Sequence, residues 1–279
     1  IIIQIYFKDL TLNMNVLPNE YNFLIPLKTP SLIRLGINKD GGYIVDKDIL
    51  KLSNLLISFG MADEYSFEED FLKYNDQNNL IIFDYSISHT QYLKDFFKNI
   101  RRILKLKRKF SELILCVRNY INFIKFIKNK KVKFYSKKIT DQIVSIKDVT
   151  IEEIFKKIEK KNITLKIDIE GNEYKIIDKI LLYESQIDQL IIEYHDTHKR
   201  KKEFFENMKK IKNFFHINHL HANNYQKYNQ DGFPINIEIT FLSKRFSSVN
   251  YKKNFKYPLK VLDYPNNPNL TDLEFIFNE

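Results

Sequence analysis

Two segments of the sequence carry paired polar residues at the spacing of a β-strand. Asp168 and Glu170 end the apolar run "ITLKIDIEG", and Glu193 and His195 end the run "IDQLIIEYHD". Residues two apart on a strand lie on the same face of a sheet, so each pair presents its side chains together. Carboxylates and imidazoles at neighbouring strand ends can act as general bases or as ligands of a cation.

A further polar segment contains His219 and "HANN" (221–224), and we expect it to return beside the strand that ends at His195. A reaction that removes a proton from its substrate needs a base within hydrogen-bond reach. Histidine is suited to this role because its ordinary pKa lies close to neutral pH. We therefore predict Asp168, His195 and His221 as catalytic residues.

A divalent cation is an alternative to a histidine base. Asp168, Glu170 and His195 are the predicted ligands, with His221 as a further candidate. Mixed oxygen and nitrogen ligands suit manganese, iron or magnesium better than structural zinc. Purely structural interpretations stay open: Asp168 could cap a helix, His195 could be a buried structural histidine, and "HANN" could be a turn.

The stretch "NLLISFGMADEYSFEED" is an apolar run that stops at Gly60 and turns acidic. A glycine at a strand end lets backbone amides approach a ligand closely. The acidic residues that follow, including Asp63 and Glu68, disfavour a pyrophosphate. They suit a cationic ligand, such as the ammonium and sulfonium groups of S-adenosylmethionine. A turn glycine followed by first-turn helix acids is the alternative interpretation.

Asp84 ends the next apolar run, "NLIIFDYS", 24 residues after Gly60. A carboxylate at this place in a Rossmann-like sheet typically accepts hydrogen bonds from the ribose hydroxyls of adenosine. We predict this role for Asp84, with a helix cap as the alternative.

Strands and helices alternate along about 190 residues, which predicts a mostly parallel sheet covered by helices on both faces. Apolar runs predict strands at 54–60, 79–86, 131–139, 163–171, 187–196 and 235–243. Helical spacing predicts helices between them, and capping-box patterns at Ser66/Glu69 and Thr150/Glu153 predict two helix starts. Ligands of such sheets lie beyond the carboxyl ends of the strands.

Several motifs together resemble the FkbM-like S-adenosylmethionine-dependent methyltransferases. The shared motifs are "LIRLGINKDGGYIV", "LLISFGMADEYSFEEDF", "IIFDYSIS", "LKIDIEGNEYKIID", "LIIEYHD", "HANN" and the ending "YPLKVLDYPNNPNLTDLEFIF". The resemblance implies a seven-stranded Rossmann-like sheet and methyl transfer to oxygen on small molecules or sugars. It also implies that the cofactor is bound by the Gly60 loop, the ribose residue and the "DGGY" motif, namely Asp40, Gly41, Gly42, Tyr43, Phe59, Gly60, Asp63, Glu68 and Asp84. A type I′ hairpin turn is the alternative explanation of the glycine pair.

A chain of 279 residues can form one domain or two, and no linker-like stretch demands two. With the resemblance, we expect one methyltransferase domain: an N-terminal extension (1–31), a Rossmann-like core (32–245) and a tail packed on it (246–279). The opening "IIIQIYF" is too short to span a bilayer, and the single cysteine fits a reducing, cytoplasmic compartment. The net charge of +10 is concentrated in "RRILKLKRKF" (101–110), which we interpret as a solvated helix face; contact with anionic lipid or polysaccharide is the alternative. We expect no nucleic-acid partner, and we consider a homodimer.

The function predicted from these observations is O-methyl transfer from S-adenosylmethionine to a sugar hydroxyl. The acceptor would be a nucleotide-linked sugar or a unit of a capsule or lipopolysaccharide, because relatives often lie among genes for such polymers. Two alternatives stay open. One is a methyltransferase on a natural product or protein, and the other is a glycosyltransferase-like enzyme with an acid pair in "DIE".

Overall fold

The computed structural model describes residues 15–104, 110–159, 161–246 and 252–278. The opening segment "IIIQIYF" and residues 105–109 of the basic stretch lie outside the described residues, so our interpretations of them stay predictions.

Fourteen strands form in the described ranges. They are β1 (Asn15–Leu17), β2 (Leu32–Leu35), β3 (Tyr43–Asp46), β4 (Leu55–Phe59), β5 (Asn79–Phe83), β6 (Val132–Tyr135), β7 (Lys138–Ile139), β8 (Asp148–Val149), β9 (Ile163–Ile167), β10 (Ile187–Tyr194), β11 (Phe215–Ala222), β12 (Ile237–Ser243), β13 (Lys256–Tyr257) and β14 (Phe275–Phe277).

The helices of the same ranges alternate with these strands. They are α1 (Lys47–Leu52), α2 (Ser66–Tyr74), α3 (His89–Leu104), α4 (Phe110–Ile127), α5 (Ile151–Phe155), α6 (Glu173–Leu181) and α7 (Lys201–Ile211). None of these described helices combines the length and the apolarity that crossing a lipid bilayer demands.

Seven of the strands form the central sheet, in the order β11-β12-β10-β9-β4-β5-β6. All neighbours pair in parallel except β12, which runs antiparallel between β10 and β11. The strand order reverses between β4 and β9, which is where an α/β sheet of this kind binds its ligand. The predicted seven-stranded, Rossmann-like fold is confirmed.

The central strands are buried on both faces because each carries apolar side chains at odd and even positions. On β4, Leu55, Ile57 and Phe59 belong to one core cluster, while Leu56 belongs to the other. Helices α5, α6 and α7 cover the first face, and α1, α2 and α4 cover the second. The carboxyl ends of the strands are thereby left as the open edge of the sheet.

Three local predictions need correction. Ser66 is not an N-cap: Tyr65 precedes α2 without a side-chain cap, and the Ser66 hydroxyl accepts from the Ile37 amide at 2.9 Å. The predicted strand 131–139 is two strands, β6 and β7. The capping box of Thr150 and Glu153 is confirmed, but its helix, which we expected to reach about residue 160, ends at Phe155.

The chain after β12 returns to the site edge of the sheet. Strands β1, β14 and β13 form a small separate sheet that anchors this tail. Asn224, at the end of "HANN", donates to the carbonyls of Asn267, Leu270 and Thr271 and accepts from the Asn267 amide at 2.7 Å. The segment "LDYPNNP", for which we considered a lid or a packed tail, is therefore held against β11.

Candidate active site

A cleft of about 170 Å³ opens where β4, β5 and β9 end. Its lining joins the Gly60 loop, the segment after β5 and the "DIEG" motif: Gly60, Ala62, Phe83, Asp84, Tyr85, Ser86, Lys137, Lys138, Ile139, Asp168, Ile169, Glu170 and Asn172. Two predicted groups, Asp84 and the pair Asp168 and Glu170, thus face one cavity. The position matches the strand-order reversal at which these sheets bind ligands.

Gly60 is required by the packing of the sheet edge. Its φ is +79°, and a Cβ built on it would lie 1.7 Å from the Asp168 carbonyl oxygen. The Gly60 amide donates to the Phe83 carbonyl, so this loop passes tightly between its neighbours. The role that we predicted for Gly60, close approach of amides to a ligand, stays a prediction, and close approach to β9 is reason enough for the glycine.

Asp84 lies in the cleft, but its carboxylate is occupied by protein donors. Oδ2 accepts from the amides of Met61 and Ala62, both at 2.8 Å. Oδ1 accepts from the amide and hydroxyl of Ser86 and, at 3.3 Å, from the Ile87 amide. Asp84 therefore ties the loop after β4 to the loop after β5. Ribose binding by Asp84 stays a prediction, since a hydroxyl would have to share these oxygens.

Three other predicted cofactor residues lie away from the cleft surface. Phe59 is fully buried in the core, and Asp63 is exposed and lines a separate groove with Asn119 and Asn122. Glu68 is fully buried under the loop, where it accepts from the Ser58 hydroxyl at 2.6 Å. The side chains of these three residues do not line the cleft, so any effect on a ligand there would be indirect.

Glu68 pairs with Lys166, a lysine in the middle of the buried strand β9. The Lys166 ammonium lies 3.4 Å from Glu68 Oε1 and donates to the Gly60 carbonyl at 2.8 Å. It also lies over the ring of Tyr43, 4.9 Å from the centroid. A lysine inside an apolar strand is a sequence signal for a buried, oppositely charged partner.

His195 stands at the centre of a group of carboxylates. Its Nδ1 lies 3.1 Å from Glu173 Oε1, which also accepts from the His195 amide at 2.8 Å. Its Nε2 faces Glu170, Glu193 and Asp168, at 3.6, 3.6 and 3.8 Å. Of these, Glu170 is 84% exposed, whereas Glu193 and Asp168 are largely buried.

These neighbours determine the charge of the imidazole. Burial opposes a charge on His195, but the hydrogen bond to Glu173 and the charges of Glu193 and Asp168 raise its pKa to about 10. Burial, with Asp168 nearby, raises the pKa of Glu193 well above its usual range. A protonated imidazole cannot accept a further proton, so this raised pKa disfavours His195 as a general base in the absence of a cation, and its catalytic role stays a prediction.

The same geometry suits a metal ligand. Ligand atoms of Asp168, Glu193 and His195 all lie within 4.8 Å of one another. A metal-binding histidine usually donates its other ring nitrogen to a carboxylate, as Nδ1 does here toward Glu173. Glu193 replaces the predicted Glu170 in this group of mostly buried ligands.

A second group of acids adjoins the first through Glu193. Asp40, Glu193 and Glu238 also bring ligand atoms within 4.8 Å of one another. Asn223 donates to Glu193 at 2.7 Å, and Asn266 of the tail donates to both Asp40 and Glu238. The site is thus a continuous group of polar side chains, mostly buried, that comes from the ends of β9, β10 and β12 and from the tail.

His221 lies behind this surface and is fully engaged. Its Nδ1 lies 3.4 Å from Glu238 and its Nε2 lies 3.2 Å from Asp272. Burial opposes its charge, but these two hydrogen bonds raise the pKa of His221 well above its usual value. His221 can therefore hold Glu238 in place, while its predicted role as a base stays a prediction that this geometry disfavours.

The "DGGY" motif lies beside Asp168, at the acid group. The Tyr43 hydroxyl donates to Asp168 Oδ2 at 3.0 Å, which leaves Oδ1 toward His195. The loop between β2 and β3 runs from Gly36 to Gly42, so Gly41 and Gly42 are not the centre of a two-residue type I′ turn.

The chain is similar to one protein family and, distantly, to several solved structures. A sequence model described as the methyltransferase FkbM domain matches residues 11–226. Among solved structures, M. capricolum TrmK bound to S-adenosylhomocysteine is 15% identical over 74% of this chain and 70% of its own, with a TM-score of 0.36. M. jannaschii TYW2 bound to AdoMet is 13% identical over 72% and 82%, with a TM-score of 0.34.

The Methanococcus jannaschii fibrillarin pre-rRNA processing protein is 10% identical over 70% of this chain and 68% of its own, with a TM-score of 0.38. Comparison with curated protein sequences gave no match. The family match spans most of the chain and confirms the resemblance seen in its motifs, so this protein belongs to the FkbM family of methyltransferases.

Proposed function

We propose that this methyltransferase transfers the methyl group of S-adenosylmethionine to a hydroxyl of a saccharide, assisted by a divalent cation. The observation that carries the proposal is the position of Asp168. Its side chain belongs both to the cleft at the strand-order reversal and to the histidine–carboxylate group. A donor in the cleft and an acceptor at the acid group would therefore meet at this residue.

S-adenosylmethionine would bind in the cleft and supply an electrophilic methyl group on its sulfonium. The loop after β4, held by Asp84, and the segment after β5 would position the adenosine. The acidic surface beside Asp168 would favour the positive charge of the donor over the neutral product.

Asp168 is the residue best placed to take the acceptor's proton. Tyr43 occupies its Oδ2, so Oδ1 would receive the proton of the hydroxyl while the oxygen bonds to the methyl carbon. S-adenosylhomocysteine then leaves with the electron pair of the broken sulfur–carbon bond. His195 would not compete for this role, because its Nδ1 is committed to Glu173 and its Nε2 would be bound to the cation.

Asp168, Glu193 and His195 would hold the cation. When bound, such a cation lowers the pKa of a coordinated hydroxyl and orients it. Glu173 would orient the imidazole, and Asn223 would orient Glu193. The mixed donor set suits manganese, iron or magnesium.

A polyhydroxylated acceptor matches the chemistry of the neighbouring surface. Asp40 and the exposed Glu170 would accept hydrogen bonds from successive hydroxyls, while the amides of Asn223 and Asn266 hold the buried Glu193 and Glu238 in place. Carboxylates at this density also disfavour a phosphate, which argues for the uncharged part of a surface polysaccharide over a sugar nucleotide.

Calorimetry with S-adenosylhomocysteine, UDP-glucose and GDP-mannose tests the donor. We expect S-adenosylhomocysteine to bind and the two nucleotide sugars not to bind. Binding of a nucleotide sugar without S-adenosylhomocysteine binding would support a glycosyltransferase instead. Methyl transfer from labelled S-adenosylmethionine to a panel of oligosaccharides, flavonoids and peptides then tests the acceptor. Labelling of a flavonoid or peptide, with no labelled saccharide, would contradict the saccharide assignment.

Metal analysis of the purified protein with Mn²⁺, Fe²⁺ or Mg²⁺ tests the cation. We expect His195→Gln and Glu193→Gln to abolish binding of about one equivalent, whereas Glu170→Gln retains it because that side chain is mostly exposed. If the protein keeps full turnover after exhaustive EDTA treatment, the cation is not part of the mechanism, and Asp168 alone acts as the base.

A further inference from the structure

Helices α3 and α4 form a helical hairpin between β5 and β6 that leaves large apolar side chains in solvent. Leu93 and Phe97 of α3 are 52% and 57% exposed, and Ile114 and Ile121 of α4 are 58% and 46% exposed. The spacings of four and seven residues place each pair on one helix face. We call the described residues of α3 and α4 that lie in solvent the hairpin surface.

The hairpin is packed firmly on its inner side. Phe123 of α4 is buried, with its ring 5.5 Å from Phe134 of β6 and 5.2 Å from Tyr92 of α3. An open groove of about 460 Å³ runs between the helices and is lined by Phe96, Ile114, Val117, Ile121 and Lys125, among others. The exposed apolar residues therefore belong to a well-formed element.

The positive charge of the protein is concentrated in the part of the sequence that contains this element. Residues 89–131 contain thirteen Lys and Arg against two Asp and Glu, a net charge of +11. The whole chain carries +10, so all other residues together carry −1. On the hairpin surface, Lys94 and Arg101 flank Leu93 and Phe97 and are exposed. Apolar and basic side chains thus share one face.

The combination of apolar and basic side chains on the hairpin surface favours one kind of binding partner over others. A second copy of the chain would bring an equally basic surface against the first, and like charges would oppose that contact. A nucleic acid would pair with the basic groups but would leave the aliphatic side chains in water. An anionic bilayer surface satisfies both, because its headgroups attract lysine and arginine while its acyl boundary accepts leucine, isoleucine and phenylalanine.

We propose that the hairpin surface binds the surface of an anionic lipid bilayer, with α3 and α4 lying in the plane of the headgroups. The chain would be held peripherally, by partial insertion of Leu93, Phe97, Ile114 and Ile121 beneath a ring of basic side chains. Because α3 begins at His89, five residues after Asp84, the cleft would lie near the membrane. The proposal does not depend on the acceptor.

Vesicle co-sedimentation of the full chain tests the proposal. We expect binding to phosphatidylcholine vesicles that contain about one third phosphatidylglycerol, and little binding to phosphatidylcholine alone. Raising the salt from 0.1 to 0.5 M should weaken binding at least about tenfold, because salt screens the surface potential. Equal binding to both vesicles, or to neither, would overturn the proposal.

Two pairs of variants locate the surface. Lys94→Glu with Arg101→Glu should weaken binding at least about tenfold, at about 1 kcal/mol per basic residue. The matched control, Lys175→Glu with Lys209→Glu, changes the net charge equally on α6 and α7 and should retain most of the binding. Loss of binding in the control to the same extent would mean that only net charge matters and would overturn the assignment.

A second pair of double variants tests the contribution of the apolar side chains to vesicle binding. Phe97→Ser with Ile121→Ser should weaken vesicle binding, while Leu182→Ser with Val261→Ser, also exposed, should not. Circular dichroism shows whether each variant folds. Sedimentation equilibrium and a labelled oligonucleotide complete the test: a dimer broken by the hairpin pair, or an oligonucleotide bound in place of vesicles, would contradict the lipid assignment.

Discussion

The protonation of His195 sets what the acid group can do. Its Nδ1 is committed to Glu173, and its Nε2 faces three carboxylates. Without a cation the imidazole carries the positive charge that these carboxylates require. With a cation the imidazole must lose its proton and becomes a ligand, so the same residues serve two states.

This arrangement predicts a pH dependence of stability in the cation-free protein. The pKa of His195 is about 10 when folded, above the ordinary value of about 6.5 expected when unfolded. The stabilisation from protonated His195 is therefore complete below about pH 6.5 and is lost as the pH rises toward 10. We expect the Tm of the wild type to fall over this window more steeply than that of His195→Gln.

Thermal denaturation in EDTA at intervals of pH checks this expectation, with His198→Gln as the control for an unrelated histidine. Parallel curves for the wild type and His195→Gln would contradict the raised pKa. Added cation should flatten the wild-type curve, because the bound ligand is the neutral imidazole.

Asp84 makes a second prediction at the residue scale. Asp84→Ala removes the acceptor of the Met61 and Ala62 amides, so the loop after β4 should loosen. We expect the Kd for S-adenosylhomocysteine to rise at least about tenfold, consistent with the loss of hydrogen bonds to a charged group. Calorimetry measures this change.

Ser86→Ala separates the two possible roles of Asp84. It removes one donor from Oδ1 and leaves the loop contacts at Oδ2 intact. If Asp84 also binds the ribose, this variant should bind S-adenosylhomocysteine as tightly as the wild type or more tightly. A Kd unchanged in Asp84→Ala would remove Asp84 from the donor site altogether.

At the scale of elements, the junction of β4 and β9 depends on the missing side chain of Gly60. Gly60→Ala would place a methyl group against the Asp168 carbonyl in a backbone conformation that disfavours side chains. We expect a loss of at least about 3 kcal/mol in the free energy of unfolding, or no soluble protein.

Gly171→Ala is the matched control for this prediction. Gly171 has a similar φ of +98°, but nothing lies within 4 Å of a Cβ built there. Only the backbone cost remains, about 1–2 kcal/mol. Urea denaturation of both variants compares them, and equal losses would show that the contact with β9 is not the reason for Gly60.

For the whole molecule, the tail completes the site. Asn224 holds the tail through four hydrogen bonds, and Asn266 then reaches Asp40 and Glu238. We expect Asn224→Ala to release residues 259–272, which precede the anchored strand β14, and to lower turnover while leaving S-adenosylhomocysteine binding intact.

Hydrogen-exchange mass spectrometry tests this prediction. The tail of Asn224→Ala should exchange faster, and β4 and β9 should exchange as in the wild type. Asn223→Ala, which loses the hydrogen bonds of this side chain with Glu193 and with the Tyr225 amide, should leave the tail protected. Unchanged tail protection in Asn224→Ala would contradict the role of Asn224 as the anchor.

Local pattern predicted much of this architecture. The Thr150 capping box, the seven-stranded sheet and the strands β4, β5 and β9 follow from apolar periodicity and from the family motifs. The strands end earlier than we predicted, at Phe83 instead of residue 86 and at Ile167 instead of residue 171. The strand β11, which carries His219 and His221, was not predicted as a strand, because polar residues interrupt its apolar pattern. The start of α2 was misassigned because Ser66 bonds to a loop distant in sequence.

The sequence by itself determined the elements and the pairs at their ends, because helix and strand periodicity are properties of neighbouring residues. It could thus place Asp168, Glu170, Glu193 and His195 at the open edge of the sheet. The alternation that we expected within each pair does not apply, because β9 ends at Ile167 and β10 at Tyr194, and Glu170 has a φ of +55°. Only the tertiary structure decided that Asp40, Glu238 and Asn266 join them. These residues come from a hairpin loop, the antiparallel strand and the tail, and their meeting depends on strand order and on chain return, which no local spacing encodes.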